Sequence, residues 1–125
     1  MTTQRPLVSV IDDDESVRES LPDLLKELGY DVQAFSSAEE FLASSHVDAT
    51  ECLILDIAMP GMTGPELHLE LSRRKQEIPL IFITAQIDEA VRRGVLKRGA
   101  VACLFKPFTE AALVDALNVA LGKTA

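Results

Sequence analysis

The chain has 125 residues, 47% of them hydrophobic, which suits one packed domain and leaves little room for a second. Asp and Glu outnumber Lys and Arg by 20 to 12, a formal charge of −8 that repels phosphate backbones and anionic lipid, arguing against nucleic-acid and membrane surfaces. No apolar run approaches the roughly 20 residues of a spanning helix, nothing resembles a signal peptide, and two cysteines make neither a disulfide framework nor a metal cluster. The expectation is a single cytoplasmic domain over residues 1–125.

Leu7-Val8-Ser9-Val10-Ile11 predicts a strand that stops at Asp12-Asp13-Asp14. Val17, Leu21, Leu24, Leu25 and Leu28 then share one face at helical spacing, with Gly29 as the stop. Pro22 lies inside that stripe, where it removes a hydrogen bond at a cost of about 3 kcal/mol, and predicts a bend. Asp31-Val32-Gln33-Ala34-Phe35 alternates as a half-exposed edge strand does. Ser37-Ala38-Glu39-Glu40 has the form of a capping box, Ser37 accepting from the Glu40 amide and Glu40 reaching back. Cys52-Leu53-Ile54-Leu55 is continuously apolar and ends at Asp56. Leu67, Leu69 and Leu71 alternate like a strand, but Gly64-Pro65 opens a helix well and the polar stretch beyond favours one. Pro79-Leu80-Ile81-Phe82-Ile83 runs to Thr84, and Val101-Ala102-Cys103-Leu104-Phe105 runs to Lys106. Thr109 caps a last helix with the stripe Leu113, Ala116, Leu117, Ala120 and Leu121, and Lys123-Thr124-Ala125 is a short tail.

Strand and helix alternate five times, and continuous apolar runs suit parallel strands covered on both faces. The prediction is an α/β fold: a doubly wound, open, parallel five-stranded sheet with helices on both faces. Function in such sheets gathers at the carboxyl ends of the strands. Those ends hold Asp12 and Asp13, Asp56, Thr84 and Lys106. Three clustered carboxylates repel one another, and a divalent cation resolves the conflict. Oxygen donors without His or Cys suit Mg2+ better than Zn2+. Capping of the first helix would by itself explain Asp12–Asp14. Asp56, closing a buried apolar strand, has no capping job. A phosphoryl group on Asp56 would carry about two negative charges and three acceptor oxygens. Mg2+, the Lys106 ammonium and the Thr84 hydroxyl or a backbone amide could share them, and phosphoryl transfer asks for little more than such positioning and neutralisation. The Lys106-Pro107 bond can be cis at modest cost, which would help aim the lysine inward.

Four segments, Val10-Ile11-Asp12-Asp13, Asp56-Ile57-Ala58-Met59-Pro60-Gly61-Met62-Thr63-Gly64, Ile83-Thr84-Ala85 and Phe105-Lys106-Pro107-Phe108, occur in this order. Together they resemble the receiver domain of two-component response regulators, the CheY-like superfamily, over nearly the whole chain. Ala38-Glu39-Glu40-Phe41-Leu42 and Phe105–Glu110 are most similar to the FixJ type. The resemblance implies strand order 2-1-3-4-5. It implies that Asp56 is the phosphoacceptor, attacking a phosphohistidine on a sensor histidine kinase or phosphotransfer protein. Asp13, Asp56 and the backbone carbonyl of Ala58 would hold Mg2+ directly, Asp12 would act through metal-bound water, and Mn2+ could substitute. Thr84 would be the switch hydroxyl and Lys106 the phosphate-pairing lysine. No external metabolite would be turned over. FixJ-type members usually carry a C-terminal helix-turn-helix domain, so the chain reads as a stand-alone regulator or as the receiver part of a longer protein.

Cys103 stands three residues before Lys106, where the family usually has Tyr or Phe. A small thiol cannot fill and empty the space beside Thr84 as a ring does, so the signal is expected to travel through the loop after Thr84 and the next helix. Ala58 and Gln86 flank the site and are expected to tune hydrolysis. Arg92, Arg93, Lys97 and Arg98 on the fourth helix read as a solvated face or as a partner surface facing Glu110 and Asp115 across a two-fold axis. The resemblance implies a phosphorylation-linked homodimer through the fourth helix and fifth strand. Cys52 and Cys103 read as apolar strand residues, His46 and His68 as isolated surface residues. A different class, an aspartyl-phosphate phosphatase of the haloacid dehalogenase type, would make Asp12 the nucleophile and Asp14 the acid. It needs a late acidic pair, and after Thr84 the acids Asp88, Glu89, Glu110 and Asp115 include none paired at a strand end. A degenerate receiver that only binds proteins is a third reading, opposed by the complete acidic, Thr and Lys set.

Overall fold

The five apolar runs become five parallel strands in the computed structural model, which describes residues 5–86 and 88–122. β1 (Leu7–Ile11), β2 (Asp31–Phe35), β3 (Cys52–Asp56), β4 (Leu80–Thr84) and β5 (Ala102–Phe105) alternate with α1 (Glu15–Glu27), α2 (Ala38–Ala43), α3 (Gly64–Arg73), α4 (Glu89–Lys97) and α5 (Glu110–Ala120). The sheet order is β2-β1-β3-β4-β5, and all four pairings are parallel. This is the order and winding of the CheY-like receiver fold. Because the chain leaves β1 for β2 on one side and returns to β3 on the other, the winding reverses between β1 and β3, which opens a crevice at their carboxyl ends. The tail from Lys123 lies outside the described residues.

Side-chain alternation divides the core in two. Ile11, Leu53, Leu55 and Phe82 point to one face, where Phe41, Leu67, Leu71 and Val95 bring α2, α3 and α4 onto the sheet. Val8, Val10, Ile54, Ile81 and Ile83 point to the other, under Leu21 and Leu25 of α1 and Leu113 and Leu117 of α5. β3 and β4 are buried at every position, as their unbroken apolar runs require, whereas β2 is largely exposed at the sheet edge. Pro79 falls just outside β4: it has no N–H to donate, and its carbonyl accepts from Leu53 N at 2.9 Å.

Local signals set the helix ends, with one shift from the expected pattern. α1 runs from its Asp14 cap through Pro22 to Leu28. Gly29 at φ 104° then takes the left-handed turn, while the Arg5 guanidinium donates to the carbonyls of Gly29 and Lys26. At α2 the Ser37 hydroxyl accepts from Glu40 N at 3.0 Å as expected. The Glu40 carboxylate, however, accepts from the amide and hydroxyl of Ser36, both at 3.2 Å, so the box is half made. The complete capping box is at α3, where Thr63 Oγ1 accepts from Glu66 N and Glu66 Oε1 accepts from Thr63 N at 2.8 Å. That box settles the strand-like leucines as helix: Leu67 and Leu71 are buried and Leu69 is 73% exposed.

Candidate functional site

The crevice beside β1 and β3 gathers the polar ends of four strands. Asp12 follows β1 directly, its amide donating to the Phe35 carbonyl, and it is fully buried, whereas Asp13 is exposed. Capping falls to Asp14 alone, whose Oδ1 accepts from Ser16 N at 2.9 Å and Ser16 Oγ at 2.7 Å. Those bonds hold the Asp14 carboxyl below the usual range. Asp12 and Asp13 are thereby left for other work. Asp12 Oδ1 accepts from Asp14 N at 2.9 Å, and its backbone carbonyl accepts from the Arg18 guanidinium at 2.7 Å. Arg18 was not among the expected site residues; a basic side chain on an amphipathic helix carries no sequence mark of such a bond.

Asp56 closes β3 and keeps 12% of its side-chain surface accessible. Its Oδ1 accepts from Ala58 N at 3.1 Å. Asp12, Asp13 and Asp56 each offer a carboxylate oxygen within 4.8 Å of the others. Lys106, one residue past β5, lies between two of them, its Nζ 2.8 Å from Asp12 Oδ2 and 3.3 Å from Asp56 Oδ2. The Lys106-Pro107 bond is cis. Burial, reinforced by the Asp12 charge, pushes the Asp56 carboxyl above the ordinary value, and Lys106 offsets only part of this. Burial alone would lower the Lys106 pKa, but the hydrogen bond to Asp12 and the Asp56 charge outweigh it and raise it. The lysine is therefore a firmly charged ammonium. Three carboxylates against one ammonium leave an excess of two negative charges among oxygen donors, and a hard divalent cation such as Mg2+ fits that set.

Thr84 ends β4, and its hydroxyl accepts from Gln86 N at 3.1 Å, so it is engaged by its own loop. Gly64 brings α3 against the site: a Cβ there would lie 2.5 Å from the Asp56 carbonyl oxygen and 2.8 Å from the Phe82 ring. Cys103 is only 5% exposed, and burial raises its pKa; Cys52, more deeply buried, is pushed up to about 12. The histidines depart from the surface expectation. His68 is half-buried with its ring 6.2 Å from that of Phe82, and burial, then the Arg98 charge, lowers its pKa. His46 stands 6.3 Å from Phe35. On the basic face, Arg98 is the residue that ends α4, and Glu89 engages both Arg92, at 3.7 Å, and Arg93 through its carbonyl. Among the described residues no helix is long and apolar enough to cross a membrane.

A sheet of this order with three acids and a lysine at its switch point defines the class. The sequence model of the response regulator receiver domain matches residues 8–118, and the chain belongs to that family: it is a receiver domain of two-component response regulators. It is 42% identical over 116 residues to Nodulation protein W of Bradyrhizobium diazoefficiens, covering 93% of this chain and 51% of that protein. It is 39% identical over 118 residues to the transcriptional regulatory protein FixJ of Azorhizobium caulinodans, covering 94% and 56%. The crystal structure of FixJ-N superposes with a TM-score of 0.85 at 34% identity over 98% of both chains. The response regulator StyR gives 0.84 at 44% identity over 94% of this chain and 60% of that one. The chain spans about half the length of the curated relatives it matches. Membership in this family, with Asp14 serving as a helix cap, sets aside the dehalogenase reading.

Proposed function

We infer that Asp56 accepts a phosphoryl group from the phosphohistidine of a sensor histidine kinase or phosphotransfer protein in a Mg2+-dependent reaction, and that the modified form controls a partner or output domain. The observation that carries this reading is the convergence of Asp12, Asp13 and Asp56 within 4.8 Å, with Lys106 bonded to two of them. In the transfer, an Asp56 carboxylate oxygen forms the new P–O bond as the P–N bond breaks, and the imidazole leaves with the electron pair. Hydrolysis returns the carboxylate and inorganic phosphate, so no external metabolite is turned over and the domain is a switch rather than an enzyme. Asp13, Asp56 and the Ala58 carbonyl would hold Mg2+ directly, with Asp12 beside them, and Mn2+ suits the same donors. When bound, the cation supplies charge neutralisation for the phosphoryl oxygens.

The remaining work falls to side chains of this chain. Lys106 pairs with the phosphoryl oxygens in place of the Asp56 carboxylate it contacts at 3.3 Å. Thr84 must give up Gln86 N to reach the phosphoryl group, which moves the loop that leads into α4. Cys103 is too small to follow as an aromatic ring would, which leaves that loop and α4 to carry the signal. Ala58, whose amide donates to Asp56 Oδ1, and Gln86, whose amide donates to Thr84 Oγ1, flank the site and tune hydrolysis of the phosphoryl group. The proposed output surface is α4 and β5, with Arg92, Arg93, Lys97 and Arg98 meeting Glu110 and Asp115 of a second copy; β5 is an open edge of the sheet. The domain works in the cytoplasm and touches neither nucleic acid nor membrane itself.

Transfer of label from a phosphorylated histidine kinase tests the reading. The wild type is expected to take label, and to lose it in EDTA and in Asp56→Asn; a labelled Asp56→Asn chain refutes the assignment. Sedimentation at rising salt tests the dimer, which a salt-insensitive monomer in both phosphorylation states rules out.

A further inference from the structure

Ala58 lies in the loop between β3 and α3, and its position matters under the proposed function because its carbonyl is one of the Mg2+ donors. The ends of this loop are well anchored. Ile57 N donates to the Ile83 carbonyl at 3.1 Å, Gly64 N donates to the Ile57 carbonyl at 3.0 Å, and the Met59 side chain is buried in the core. Its apex is held from elsewhere in the chain. Met62 N donates to Glu39 Oε2 at 2.9 Å, a contact between residues 23 positions apart. The same Oε2 stands 2.6 Å from where a Cβ on Gly61 would be, so the carboxylate is seated directly over that glycine, whose φ is +76°. Glu39 projects from the first turn of α2, and its neighbours Ala38 and Phe41 are fully buried. The carboxylate thus hangs from a rigid platform. A hydrogen bond to an ionised acceptor is about twice as strong as a neutral one.

We propose that Glu39 is a positioning residue: by binding Met62 N over Gly61 it fixes the β3–α3 loop, and with it the Ala58 carbonyl, for Mg2+ binding. Removing a partner that orients a metal donor typically costs about 10- to 100-fold in affinity, and Glu39 acts at one further remove through backbone, so about threefold to tenfold is expected.

The test uses two variants and two readouts. Glu39→Ala deletes the acceptor, whereas Glu39→Gln keeps an oxygen for Met62 N and removes only the charge. Amide exchange at Met62 in EDTA reports the tether without metal, and calorimetric titration with MgCl2 reports the site. Glu39→Ala should speed Met62 exchange and weaken Mg2+ binding about threefold to tenfold, with Glu39→Gln restoring most of both. A second check follows from the crowding over Gly61: Gly61→Ala should disturb Mg2+ binding less in the Glu39→Ala background than in the wild type. Unchanged Mg2+ affinity in Glu39→Ala overturns the positioning role alone, as does a Glu39→Gln chain as weak as Glu39→Ala, which would point to charge. A wild-type chain that binds no Mg2+ overturns the metal-site reading and this role together.

Discussion

Replacing Asp56 by Asn should stabilise the metal-free protein while destroying its function. At an effective dielectric of about 20, the Asp12 carboxylate, no more than 4.8 Å away, repels Asp56 by at least about 3.5 kcal/mol, and Lys106 at 3.3 Å attracts it by about 5 kcal/mol, while the exposed Asp13 is screened by solvent and adds further repulsion. The substitution therefore loses at most about 1.5 kcal/mol of net attraction, and Lys106 keeps its shorter bond, 2.8 Å, to Asp12. Burying a carboxylate costs several kcal/mol, or about 2–3 kcal/mol at this partly solvated strand end, and Asn avoids most of that. The balance favours the variant by about 1 kcal/mol. The sign agrees with the titration of Asp56: a carboxyl whose pKa is raised binds its proton better in the folded state, so its ionised form opposes folding at pH 7. The gain should be full above the raised pKa and vanish as pH falls toward 3.8, the unperturbed value. Urea unfolding at pH 7 in EDTA measures it directly. Mg2+ should then reverse the ranking, because a ligand at about 100 times its Kd adds about 2.7 kcal/mol to the wild type and less to a chain that has lost a donor. A variant less stable than the wild type in EDTA, or equal stabilisation of both by Mg2+, would refute the reasoning.

Gly64→Ala should cost about 1–3 kcal/mol, since its Cβ would press on the Asp56 carbonyl and Phe82, and should slow phosphorylation by displacing Asp56. Gly94→Ala, in α4 with nothing within 4 Å, should gain about 0.5–1 kcal/mol; denaturation of the two variants side by side checks both, and equal effects would contradict the packing described. For His68, burial lowers the folded pKa below 6.5, so the unfolded chain takes up the proton first and stability falls with pH below that value. Relative to His68→Gln, the wild type should lose stability on acidification from neutral pH and then level off; parallel pH profiles would rule this out.

The sheet was legible because β3 and β4 are covered on both faces and leave no position for a polar residue until Asp56 and Thr84 end them. The same abrupt endings exposed the acidic cluster and Lys106. Strand order was not legible from periodicity, which says nothing about neighbours, and came from the family resemblance. The capping box at Ser37 was half right because two adjacent serines carry the same donors, and it is the Ser36 amide and hydroxyl that reach the Glu40 carboxylate. His68 was misplaced because Leu67 and Leu69 flank it symmetrically in sequence, while the helix turns it toward Phe82. Arg18 and Glu39 were missed for a common reason: each acts on a backbone group outside its own helix, Arg18 on one 6 positions back at the end of β1 and Glu39 on one 23 positions away, and neither bond leaves a trace in residue spacing.

Intact mass after incubation with acetyl phosphate and Mg2+, with the adduct mapped by peptide, bears most directly on the role of Asp56. One phosphoryl group on the peptide that holds Asp56, absent when EDTA replaces Mg2+, is the expected result. A folded chain that stays unmodified, or an adduct on any other residue, would contradict the central claim.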